Sequence, residues 1–171
     1  MKIETLNKAT TDGFVQSLDF LYEHSPWVVQ SAAKYRPFAD GDALLSGLQQ
    51  AVADAGESQQ RDLLNAHPDL AGKAAIRGEL TDCSTREQAS AGLDQLSPEE
   101  HTQFVHFNEA YREQFGFPFI ICVREHDKHS ILSEMARRMK NTSAVELAAG
   151  LEEVRKIVRY RWKEVADDQP D

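Results

Sequence analysis

Apolar positions recur along most of the chain at steps of three and four, the period of a helix that buries one face. In TTDGFVQSLDFLYEHS, Phe14, Leu18 and Leu21 share a stripe behind a polar cap. In SPWVVQSAAKY, Pro26 stands where a first helical turn accepts proline, just after Ser25. DGDALLSGLQQAVADAG and ESQQRDLLNA continue the pattern. The clearest element is SPEEHTQFVHFNEAYREQFG: Ser97 caps it, Glu100 completes a capping box and Gly116 sits at the C′ position. SILSEMARRMKN and SAVELAAGLEEVRKIVRYRWKEVADD finish the chain. Only FPFIICV, 117–123, reads as extended, and one short strand cannot build a sheet. HPDLAGKAAIRGELTDC, 67–83, is weakly patterned, with room for a short helix in its middle. Repeats, low-complexity tracts and Gly- or Pro-rich linkers are absent. The pattern predicts an all-α chain, residues 1–171 forming a single-domain bundle of about eight helices packed pairwise.

Composition narrows the function. A chain of 171 residues, 41% apolar and 27% charged, is an ordinary globular protein with a sizeable core. A formal net charge of −9 disfavours nucleic acid and anionic membrane as partners, since both need clustered Lys and Arg. No run of about 18 apolar residues exists to span a bilayer. MKIETLNKATTDGF lacks the apolar core of a signal peptide, and ADDQPD carries neither a peroxisomal tripeptide nor a prenylation box. The expected location is cytoplasmic. Cys83 and Cys122 lie far apart with no metal or redox spacing, as two reduced thiols would.

Three residues stand out for chemistry. His67 precedes Pro68, and proline pushes the residue before it out of helical geometry. The imidazole therefore sits on a fixed corner, either bonding the last helical carbonyls or poised as an acid/base near neutral pH. Glu87 ends STRE, 84–87, which reads as a capping box with Ser84 as N-cap; a helix start also gathers N–H groups able to bind anions or carbonyls. Arg161 falls on the stripe Leu147, Leu151, Val154, Val158, Arg161, Val165, one guanidinium among apolar side chains. It either snorkels or pairs with a structural carboxylate, or it grips a ligand carboxylate or carbonyl. Six histidines raise the question of a metal, but HDKH and HTQFVH match no zinc pattern. Gly-rich phosphate loops and G-x-S-x-G elbows are also missing. FGFPFIICV is ordinary core, with Pro118 able to leave backbone groups free along a pocket.

HPDLAGK (67–73), STREQASAGL (84–93), FNEAYREQFGFPFIICVR (107–124) and EVRKIVRYRW (153–162), in this order and over almost the whole chain, closely resemble the 2-oxo-4-hydroxy-4-carboxy-5-ureidoimidazoline (OHCU) decarboxylase family. The resemblance implies an all-α fold without a close architectural relative, usually dimeric, with no cofactor. It implies the last step from urate to (S)-allantoin, after urate oxidase and 5-hydroxyisourate hydrolase, with possible functional coupling to the latter. On matching positions it makes His67 the catalytic acid, with Pro68 against the substrate. It gives Ser84, Thr85, Arg86, Glu87 and Gln88 ligand contacts at a helix start, Glu87 being the second catalytic group. Phe119, Ile120, Ile121, Cys122 and Val123 form a wall of mainly backbone contacts, and Arg161 becomes the anchoring guanidinium. That last match is looser, because Arg159 lies two residues away and Trp162 stands where the family usually has Leu. The competing classes are a non-enzymatic helical interaction module and a histidine-based metal hydrolase.

Overall fold

The computed structural model describes residues 1–167; residues 168–171, the end of the ADDQPD run read above for targeting signals, lie outside it. Among the described residues the chain forms ten α-helices and three short 3-10 segments, with no strand. The all-α class is as the hydrophobic period predicts. Beyond the expected elements, Ile3–Lys8 (α1) is too short to show a period, and Lys73–Arg77 (α6) is the short helix for which 67–83 has room. The chain divides into two compact units, Met1–Leu63 with the segment from Arg155, and Leu64–Val154.

The first unit holds α1, Thr11–Leu18 (α2), Pro26–Ala32 (α3), Gly41–Ala53 (α4), most of Glu57–Asn65 (α5) and the last turns of Ser143–Val165 (α10). Thr10 caps α2 by accepting from Gly13 N–H, and Asp40 caps α4 from Ala43 N–H at 2.7 Å. Its core is Phe14, Leu18, Leu21, Val28, Val29, Leu44, Leu48, Val158 and Trp162, all buried. At Gly41 an added Cβ would stand 2.7 Å from Trp162 Nε1, so only glycine lets α4 begin against that indole.

The second unit holds the end of α5, α6, Asp82–Ser90 (α7), Pro98–Phe115 (α8), Lys128–Arg138 (α9) and the first part of α10. Ser97 and Glu100 form the predicted capping box, and Gly116 takes the left-handed φ of +78°. After α8 the chain runs without regular secondary structure through 118–122 and turns once at Val123–Glu125. An aromatic cluster fills the core: Tyr111 lies 4.6 Å from Phe115 and 5.3 Å from Phe119 between ring centres.

One buried ion pair sits in that core. Arg138 meets Glu146 at 2.9 Å, and the same carboxylate accepts from Tyr111 Oη and from Asn141 at 2.7 Å. Burial raises the Glu146 carboxyl, but the bonds from Arg138, Tyr111 and Asn141 prevail and hold it below its usual range. Arg138 also lies over the Phe119 ring at 4.4 Å and donates to Ile120 O at 2.7 Å. The pair thus fixes the 118–122 segment.

Candidate active site

Helix α5 ends at Asn65, two residues before His67, and His67 N–H closes onto Leu64 O at 3.1 Å. Pro68 then sends the chain through a tight loop. Gly72 N–H returns to Asp69 O at 3.3 Å, and Ala71 takes a left-handed φ of +50°. A Cβ at Gly72 would lie 2.8 Å from that of Asp69, so the return needs glycine. His67 is buried at 7% exposure, on the corner that its proline predicts.

The capping box expected at 84–87 is not there. Helix α7 starts at Asp82, and its cap is Thr81, whose hydroxyl accepts from Ser84 N–H at 3.3 Å. Thr81 offers the same hydroxyl chemistry three residues earlier, and the helix takes the earlier cap. Ser84 is therefore inside the helix, its N–H and that of Thr85 already given to Thr81. Residues 84–88 present side chains rather than free helix-start N–H groups. Ser84, Glu87 and Gln88 are buried, at the i, i+3, i+4 spacing of one helix face, while Thr85 and Arg86 are exposed.

That buried face meets two of the other predicted segments. Gln88 Oε1 accepts from Ala71 N–H at 3.0 Å, which joins α7 to the His67 loop. Glu87 Oε1 lies 3.8 Å from the guanidinium of Arg124, just after the 119–123 segment. Phe119, Ile120, Ile121, Cys122 and Val123 are all buried. Cys122 N–H donates to Glu153 at 2.7 Å. Its thiol is pushed up to about 12, mainly by burial and further by the charges of Glu125, Glu153 and Glu87. The second unit thus brings together the HP loop, the 84/87/88 face and the 119–123 wall.

Arg161 belongs to the first unit. It is 2% exposed and donates to Glu23 at 2.7 Å and to the carbonyls of Phe20 and Leu21. Arg159, two residues away, is exposed. The buried stripe of α10 is Glu146, Gly150, Val154, Val158 and Arg161; Leu147, Leu151 and Val165 are half-buried beside it. Sequence reasoning gave no role to Arg124, Glu153 or Arg138. Arg124 ends the 107–124 motif, so proximity to its hydrophobic run is the available signal; no local pattern marks Glu153 or Arg138. Among the described residues, no group of three or more His, Cys, Asp or Glu is placed to hold a metal ion.

These features define an all-α protein with a buried imidazole, a buried carboxylate and a guanidinium on three neighbouring segments, the equipment of acid–base chemistry on a small anionic or polar ligand. The OHCU decarboxylase family model matches residues 7–163, and the chain belongs to that family. The 2-oxo-4-hydroxy-4-carboxy-5-ureidoimidazoline decarboxylase of Haloferax volcanii is 41% identical over 164 residues, covering 96% of this chain and 95% of its own. The uric acid degradation bifunctional protein of a Bacillus species is 32% identical over 165 residues, 96% of this chain but 32% of its own. The crystal structure of (S)-allantoin synthase superposes with a TM-score of 0.76 at 27% identity, over 96% of this chain and 54% of that one.

Proposed function

We propose that this chain is a carboxy-lyase that converts OHCU to (S)-allantoin without a cofactor, with His67 and Glu87 as its acid–base pair. The observation that carries the proposal is the contact of α7 with the HP loop, through a buried hydrogen bond, and with the half-buried Arg124, so that the two groups lie on adjoining segments. The substrate bears a carboxylate and a hydroxyl on one ring carbon, next to a C=N bond. When the bond to the carboxylate breaks, CO₂ leaves and its electron pair forms a C=C bond. The C=N electrons move to nitrogen, which takes a proton. The resulting enol then loses its O–H proton to become a carbonyl, and the neighbouring carbon gains a proton on one face. The imine is the electron sink, so the protein needs only to hold the substrate and direct protons.

His67 delivers the proton that sets the stereocentre. Glu87 accepts from the substrate hydroxyl or N–H groups, with the Arg124 guanidinium beside it. Arg161 keeps the part that the family resemblance gives it, the anchoring guanidinium, and is tested separately below. The reading treats both compact units as one functional domain, supported by the family match over 7–163. It includes a cytoplasmic homodimer. Coupling to the upstream hydrolase is supported by the relative in which the matching part is a third of a bifunctional uric acid degradation protein.

The test is to generate the substrate in situ from urate and follow optical activity. Spontaneous decay gives racemic allantoin, whereas the enzyme gives the (S) form quickly. His67→Asn retains size and some hydrogen bonding but cannot titrate; its expected result is loss of nearly all stereospecific turnover with ligand binding kept. Racemic product from the wild-type protein sinks the proposal, and normal turnover by the Asn variant makes the corner structural.

A further inference from the structure

We propose that Asn108 and Gln88 are positioning residues that lock one peptide unit, the one joining Leu70 to Ala71, and so hold the His67 corner in register with Glu87. The inference rests on the acid–base reading above. The carbonyl and the N–H of that single peptide are each taken by a side-chain amide. Asn108 Nδ2 donates to Leu70 O at 2.9 Å, and Gln88 Oε1 accepts from Ala71 N–H at 3.0 Å. Both bonds are buried, away from competing water. Gripped through both groups, the peptide plane cannot rotate without breaking one bond or the other.

The geometry explains why the grip is needed. Ala71 has a φ of +50°, a conformation that a residue with a Cβ seldom adopts and keeps only when its surroundings hold it. The peptide preceding it is the one the two amides fix. A flip there would move the chain between Pro68 and Gly72, and His67 with it. Gln88 is the neighbour of Glu87 on α7, so its bond also sets the distance between the loop and that carboxylate. Asn108 works from α8, one turn before Arg112, which holds Asp69 at 2.8 Å. The two side chains on one face of α8 thus anchor consecutive residues of the loop.

Asn108 is an expensive way to fill space. It is 5% exposed, and its Oδ1 is buried without a hydrogen-bond partner among the described residues. An apolar side chain of similar volume would leave no orphaned oxygen. Its donor bond to Leu70 is what an apolar replacement cannot supply. Gln88 gives one lone pair of its Oε1 to the loop, which leaves Nε2 and the second lone pair for any contact with substrate. This gives it a different part from the one implied for residues 84–88 as a group.

The experiment combines amide exchange with kinetics. In the wild-type protein, Ala71 N–H should exchange far more slowly than its place in a non-helical loop suggests. Rapid exchange overturns the lock before any variant is made. Asn108→Leu keeps volume without the donor, and Asn108→Ala removes both. In either folded variant, Ala71 exchange should accelerate at least tenfold, the His67 imidazole resonances should shift, and kcat should fall about tenfold or more with KM changed less than threefold, since a misplaced acid costs turnover rather than binding. A folded variant with faster exchange but wild-type kcat overturns the positioning role; unchanged exchange in a folded variant overturns the lock. If the wild-type protein gives no stereospecific product, the functional reading fails, while Ala71 exchange still decides whether the lock exists.

Discussion

Arg161 shows how much one residue can carry. Its guanidinium is bonded to Glu23 in a buried pair. Breaking such a pair by removing one partner costs about 3–5 kcal/mol, because the remaining charge loses its compensation. Arg161→Met should therefore lower the melting temperature, and Glu23→Gln with Arg161→Met should recover much of the loss. Binding of (S)-allantoin or a carboxylate analogue separates the two roles. If Arg161 anchors the ligand, binding stays weak in the stabilised double variant. If the pair is purely structural, the double variant binds as the wild type does. Isothermal titration beside thermal unfolding reads both. The stripe on α10 made this residue visible in the sequence, because a charge at an apolar period is conspicuous. Glu23 was not visible, since its partner is 138 residues away and no local pattern marks it.

At the level of elements, α7 separates capping from chemistry more cleanly than its sequence promised. STRE is a good capping box, but a threonine three residues earlier is also a good N-cap, and local rules do not rank the two. With Thr81 as the cap, Thr81→Ala should cost about 1 kcal/mol of stability and leave turnover per folded molecule unchanged. Glu87→Gln should do the reverse, with a smaller stability change and turnover down about 10² or more, because an amide is no equivalent base. Full activity in the Gln variant removes Glu87 from the chemistry. Long helices such as α8 were legible in detail, down to Ser97, Glu100 and Gly116, because caps and period agree there. The loop at 67–72 was legible only as a corner. Its hold comes from Gln88 and Asn108, whose contacts 17 and 38 residues away follow from packing and not from neighbours in sequence.

For the molecule as a whole, the buried Arg138–Glu146 pair predicts an acid-sensitive core. The Glu146 carboxyl is held below its usual range in the folded chain. Its contribution is thus fully present above the unfolded value of about 4.3 and is lost as pH falls through the lower folded value. Glu146→Gln should be destabilised at neutral pH, and its deficit against the wild type should shrink as the pH drops below about 4, where the wild-type carboxyl is protonated too. Denaturant midpoints measured across that range check it; a deficit independent of pH would mean that the loss is one of packing. The pair itself was hidden in the sequence, because Glu146 opens a helix where acidic residues are common.

The two cysteines turn the 119–123 wall into something that can be timed. Cys83 is half-buried beside Arg86, whereas Cys122 is 1% exposed with its thiol pushed up to about 12. The thiolate is the form that attacks an alkylating reagent, so at neutral pH the native chain should consume one equivalent at Cys83 and leave Cys122 untouched. The second equivalent can enter only when the segment around Cys122 detaches and its sulfur meets water. Mass spectrometry of reagent uptake against time then acts as a clock for opening of that wall, with no probe added. A bound ligand that rests on the wall should slow the clock without altering the first, faster equivalent.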